Sequence, residues 1–97
     1  MLVNVKAEHI ARSIARGGRA SCTNCPIALA VIDAIDGVED ISVSKCVGVR
    51  VYLGGHRVKR YDLPYLAQDF IDKFDNRLEV EPFSFEMNEK PEYTTED

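Results

Sequence analysis

Long apolar runs are missing from this chain. The longest, Cys25 to Ile32, falls far short of the ~20 residues that a membrane-crossing helix needs. No basic opening leads into an apolar stretch with a small-residue cleavage site, so no secretory leader is expected and the cytoplasm is the expected compartment. Cysteine is scarce and odd in number, three residues, which argues against a disulfide framework where thiols stay reduced. Histidine is scarcer still. No carboxylate, serine or cysteine has a spacing that ties it to His9 or His56, so local sequence carries no signature of hydrolytic or acid–base catalysis and a non-enzymatic protein is expected. Internal repeats and an interdomain linker are also absent, and 97 residues make one domain's worth of chain.

What is present is ordinary globular material, 45% hydrophobic and 29% charged, with a net charge of −4. That total hides an asymmetry. Residues 1–61 hold nine Lys/Arg against five Asp/Glu, whereas residues 62–97 hold three against eleven. A basic front and an acidic back can simply be solvated faces, or the front can meet an anion or an acidic partner.

Leu2-Val3-Asn4-Val5 alternates and predicts a short strand. Ala7, Ile10, Ala11 and Ile14 then form one helical stripe that should face inward, with His9 among the solvent-facing residues, and Gly17-Gly18 ends the helix. A second helix begins near Cys25 with Thr23 or Asn24 as cap and Pro26 in the first turn. From Ile27 to Ile35 it is apolar nearly all round, interrupted only by Asp33, so it needs cover on several sides. Other elements of the chain can supply that cover, or a second copy can, which makes a homodimer the expectation.

After Asp36-Gly37 comes a meander: Ile41 to Lys45, Val47 to Leu53, and His56 to Tyr61. Cys46 falls at its first turn, and Gly54-Gly55 reads as a two-residue hairpin at its second. Alternation turns Ile41, Val43, Val47, Val49, Val51, Leu53 and Val58 inward, and Arg50, Tyr52, Arg57, Lys59 and Tyr61 outward. A third helix follows Asp62-Leu63-Pro64, with Leu63, Leu66, Phe70, Ile71 and Phe74 on one stripe and Asn76 as terminator. Leu78 to Phe85 alternates as a last strand, which Pro82 confines to an edge. The order β-α-α-β-β-β-α-β predicts an α+β fold, a mostly antiparallel sheet with helices on one face. It occupies residues 1–87, and residues 88–97 form an acidic mobile tail.

The stretch SCTNCPIALA, Ser21 to Ala30, concentrates the candidate chemistry. Cys22 and Cys25 in C-x-x-C spacing at a helix start can be a redox pair, because peptide dipoles and nearby Arg16 and Arg19 favour thiolate. With Cys46 and His56 they can supply a Cys3His zinc site. They can also be small residues filling the joint between loop and helix, in which case no cofactor is needed. Arg16, Arg19, Ser21 and Thr23 stand just ahead of the helix N-terminus, where N–H groups and guanidinium groups together suit a phosphate or carboxylate. The face bearing Arg50, Tyr52, Arg57 and Lys59 mixes cations with rings and is compatible with nucleic acid, or is the wet side of a sheet.

With these residues laid out, the chain resembles a group of small uncharacterised proteins encoded mainly in bacteriophage and prophage genomes. The shared features are the cysteine pair running into CPIALA (Cys25–Ala30), the valine-rich meander, DLPYLAQDFIDKFD (Asp62–Asp75) and VEPFSFEM (Val80–Met87). The resemblance spans roughly Val3 to Met87. It implies no activity and no catalytic residues, only a setting in which small proteins act by binding a host component. The expectation is therefore a cytoplasmic binding protein that occludes a host macromolecule or sequesters an anionic ligand, without a membrane partner.

Overall fold

The computed structural model describes residues 1–55 and 57–90. Its elements are β1 (Leu2–Val5), α1 (Ala7–Ala15), α2 (Pro26–Ala34), β2 (Val38–Ser44), β3 (Gly48–Leu53), β4 (Arg57–Asp62), α3 (Tyr65–Asp75), β5 (Phe83–Glu86) and β6 (Asn88–Glu89). This is an α+β domain. Its radius of gyration, 13.1 Å, matches the about 13 Å expected of a hundred-residue domain. All pairing is antiparallel, but the sheet expected as one is divided in two, β1-β5 and β2-β3-β4-β6.

The centre of the fold is α2. Pro26 sits in its first turn, and the Cys25 Sγ accepts the Ala28 N–H at 3.4 Å, so Cys25 is the cap rather than Thr23 or Asn24. Pro26 to Val31 are all buried, and the helix packs on α1, β1 and β2 within the one chain. At ~1.5–3 kcal/mol for each fully buried aliphatic side chain, Ile27, Leu29 and Val31 alone outweigh the weak helix propensity of a proline-led, β-branched segment. The cover a second copy would have supplied is provided internally, so this helix gives no argument for a homodimer. Beyond Val31 the helix emerges, with Ile32, Asp33 and Ala34 exposed.

α1 is rotated about its axis from the expected orientation, although Ile10 still packs against the core. Its buried residues are His9 and Ser13, while Ala7, Ala11 and Ile14 face solvent and Ile10 is half-buried. The physical reason is a polar anchor stronger than the apolar stripe, described below with the candidate sites.

The meander differs in one register. Leu53 pairs with Arg57, so the chain between paired residues is one residue longer than a two-residue hairpin allows, with Gly55 in the left-handed region at φ 75°. A one-residue slip exchanges the two faces of a strand. Tyr61 therefore pairs with Val49 and is buried, whereas Val58 pairs with Tyr52 and is exposed. Val47, expected inward, lies exposed in the first turn with Cys46.

In α3, Ala67, Phe70 and Phe74 are buried, but Leu66 is exposed. Asn76 caps the helix. Arg77 follows at φ 62°, and the Leu78 N–H returns to the Lys73 carbonyl at 2.9 Å to close the terminus. Of the expected last strand, Leu78 to Phe85, only Phe83–Phe85 is paired, and the pairing along β1 runs one residue further, from Val5↔Phe83 to Leu2↔Glu86. The expected tail begins as structure: β6 pairs with β4 at Asp62↔Asn88 and Tyr61↔Glu89, and the Lys90 N–H bonds the Arg60 carbonyl at 2.8 Å. Residues 91–97 of that tail lie outside the described residues.

Candidate functional site

The loop ahead of α2 is held by its own hydroxyls. Ser21 Oγ accepts the N–H groups of Asn24 at 3.0 Å and Thr23 at 3.3 Å. An open pocket of about 420 Å³ lies beside it, lined among others by Ser21, Cys22, Cys25, Lys45, Asp72 and Asp75. The two arginines expected at this place do not line it. Arg16 is exposed at the end of α1, and the Arg19 guanidinium carbon sits 5.1 Å above the Phe74 ring centroid. The pocket's one ammonium, Lys45, bonds Asp72 at 2.7 Å, an interaction that raises its pKa and keeps it charged. Asp75 accepts the Ala20 N–H at 2.8 Å. Two carboxylates against one committed ammonium make a poor receptor for phosphate or carboxylate. The helix tip is closed as well, because Cys25, Pro26, Ile27 and Ala28 are all buried. Of the anion site expected at Arg16, Arg19, Ser21, Cys22, Thr23 and Cys25, the pocket brings together Ser21, Cys22 and Cys25, while Arg16, Arg19 and Thr23 do not line it.

The cysteines are equally separated in character. Cys22 and Cys46 are exposed and Cys25 is buried. Burial pushes the Cys25 thiol up from an ordinary 9.0 to about 11, outweighing the N–H groups of Ala28 and Ile27 that favour thiolate. Iodoacetamide at neutral pH should therefore modify Cys22 and Cys46 and spare Cys25 until the chain unfolds; comparable labelling of all three would contradict this packing. The same shift gives a sign for alkaline stability. The neutral thiol is favoured in the fold, so its contribution is whole below pH 9.0 and is lost as pH climbs toward about 11. The shift corresponds to roughly 3 kcal/mol. A Cys25→Ala variant should lose less stability than the parent across that window, read from denaturant midpoints.

For zinc, Cys22, Cys25 and Cys46 would have to converge, and they do not; His56 lies outside the described residues. Among the described residues, the donors that lie within 4.8 Å of one another are instead Glu8, His9 and Asp33. Sequence reasoning missed this group, although Asp33 was the one polar break in an apolar helix, and such a carboxylate needs a partner. The ring nitrogens of His9 are both engaged. Nδ1 accepts the Lys6 N–H at 2.9 Å, which leaves the proton on Nε2, and Nε2 donates to Asp33 Oδ2 at 2.7 Å. With its proton in place Nε2 has no lone pair for an ion, and neither nitrogen is free to act as a base. Arg12 Nη1, 3.7 Å from the same Asp33 oxygen, adds a cation where a metal would need none. The cluster is the anchor that rotates α1: it joins the start of α1 to the end of α2.

The expected nucleic-acid stripe is split by the register of β4. Arg50 pairs with Arg60 and Tyr52 with Val58, which puts those four on one face, while Lys59 and Arg57 pair with Val51 and Leu53 on the other. Lys59 also lies 3.9 Å from Glu89 of the acidic strand β6.

A second open depression, of about 280 Å³, lies between α3 and the segment leading into β5. Its apolar lining is Leu66, Phe70, Val80, Pro82 and Phe83, with Asp69, Lys73, Glu79 and Glu81 around it. Phe70 and Phe83 stack in its floor with centroids 4.7 Å apart, and Phe70–Phe74 and Phe83–Phe85 extend the stack at 6.2 and 5.5 Å. Among the described residues no helix is long and apolar enough to cross a membrane. No protein-family profile, curated protein or solved structure matches this chain.

Proposed function

We propose that this chain is a non-enzymatic binding protein that covers a surface of a host macromolecule, in the manner of phage proteins that act in host takeover or counter-defence. The observation that carries the reading is the set of large apolar side chains left on the surface at the two ends of α3: Tyr65, 80% exposed, Leu66, 56%, and Leu78, 57%. Single exposed leucines are ordinary, but Leu66 also lines the apolar groove over Phe70 and Phe83, and an exposed apolar side chain continuous with such a groove marks an interaction surface. The groups most suited to chemistry are committed elsewhere: His9 to Lys6 and Asp33, Cys25 to the α2 cap, and Lys45 to Asp72. The resemblance to phage-encoded proteins supplies the setting. Sequestration of an anion has less support, since the loop pocket is lined by more carboxylates than cations.

The test is capture from bacterial lysate on the immobilised full chain, with mass spectrometry of what is retained. A defined host protein should bind the parent chain in stoichiometric amount and be lost from Leu66→Asp, whose circular dichroism should be unchanged because Leu66 is exposed. The same proteins retained by both, or nothing retained above bare resin, would overturn the reading.

A further inference from the structure

The groove between α3 and β5 has a chemistry more specific than a greasy surface. Its floor is the Phe70–Phe83 stack, closed at the sides by Val80 and Leu66. Of the charges around it, Asp69 is already paired with Lys73 at 3.2 Å, one turn further along α3. Glu79 and Glu81 are exposed and make no ion pair or hydrogen bond among the described residues. They bracket Val80 in the chain, so an apolar slot is flanked by two uncommitted carboxylates. The main chain there is equally unengaged. Residues 79–82 belong to no helix or strand, and none of them joins a backbone–backbone hydrogen bond among the described residues.

We propose that this groove, which is the contact surface of the preceding reading made specific, binds a cationic peptide segment of the partner that carries a bulky apolar side chain between or beside lysines or arginines. The apolar side chain enters against Phe70, Phe83 and Val80, and the flanking cations meet Glu79 and Glu81. Charge selects among occupants. A nucleic acid, an anionic lipid surface or an acidic peptide would bring like charge to the rim, at a cost that grows as the slot desolvates. The volume, about 280 Å³, accommodates one or two side chains and lies at the lower end of what small-molecule sites enclose. A second copy of this chain also carries a basic, partly apolar stretch, Arg57-Val58-Lys59-Arg60. That stretch lies in β4, paired along its length with β3 and reached by the β6 end only at the Arg60 carbonyl, and a contact from it to the groove of a neighbour would be head-to-tail and open-ended.

Selection of a random short-peptide library on the immobilised full chain tests this without a known partner. Selected sequences should converge on Lys/Arg flanking Phe, Leu, Ile or Trp. The best of them, synthesised and labelled, should bind about tenfold more weakly to Glu79→Lys/Glu81→Lys, and more weakly as salt rises. Both substitutions are on exposed side chains, so unchanged circular dichroism separates lost contact from lost fold. Leu66→Ser should weaken the same peptide with little change in salt dependence, because it removes only apolar contact. Selection of acidic sequences, no convergence at all, equal affinity for the charge-reversed variant, or concentration-dependent self-association abolished by that variant would each overturn the assignment. If lysate capture remains sensitive to Leu66→Asp while the peptide result fails, partner binding stands and the cationic-segment assignment falls.

Discussion

Gly48→Ala should cost at least about 3 kcal/mol, against the 5–15 kcal/mol total typical of small domains. Two effects add. Gly48 opens β3 at φ 103°, outside the regions an L side chain adopts readily. A Cβ there would also overlap the Tyr61 carbonyl oxygen on the neighbouring strand, inside van der Waals contact. That oxygen is backbone within a paired strand, so it cannot swing aside as a side chain would. The resulting shift would propagate to Tyr61, buried opposite Val49, and to β6, which pairs with Tyr61 on its far side. Gly17 and Gly55 also have positive φ, 66° and 75°, but nothing lies within 4 Å of a Cβ at either. Alanine at those positions should cost only about 1 kcal/mol. Urea midpoints of the three variants separate the cases; equal losses would mean that β3 and β4 do not approach as described.

The second large effect concerns the first helix. His9→Ala should lose about 2–4 kcal/mol, since it empties a buried imidazole site and leaves the Lys6 N–H and the Asp33 carboxylate without their partner. Asp33→Asn retains an acceptor for Nε2–H and should lose less than about 1 kcal/mol. Ile14→Asp, on the helix face that periodicity would have buried, should be nearly neutral, because Ile14 is 47% exposed. The pair of results is diagnostic. If His9→Ala were tolerated and Ile14→Asp unfolded the chain, α1 would be rotated to bury Ala7, Ala11 and Ile14, as its hydrophobic pattern alone predicts.

These contrasts show how far local sequence reaches. The apolar run from Ile27 to Val31 could only be a buried element, and the Gly37, Cys46 and Gly54-Gly55 breaks marked the meander because turn chemistry is local. The faces of β4 were not legible, since they depend on the length of the second turn to the residue, and a glycine pair suits more than one length. The face of α1 was not legible because the deciding partner, Asp33, stands 24 residues away on another helix. The Lys6-to-His9 spacing is that of a capping box with imidazole in place of carboxamide or carboxylate, which was the one local hint. The charge around the expected anion site was not legible for a related reason. The carboxylates of Asp72 and Asp75, distant in sequence, are brought to the loop by α3. The groove beside α3 was half visible. Alternation in Leu78 to Phe85 read as a strand, but only Phe83–Phe85 of it finds a partner, and the unpaired remainder forms one side of the slot.

The β1-β5 ladder joins residues 2–5 to residues 83–86, and this has a consequence for the order of events on the ribosome. The meander can close as soon as it emerges, because its partners are neighbours in the chain. The first strand must wait until residues 83–86 have been made, and until then the β5-facing side of Val3 and Val5 and the adjoining flank of α2 stay wet. The nascent chain thus passes through an interval in which its most water-averse helix is made but not yet roofed, when a chaperone has the most to hold.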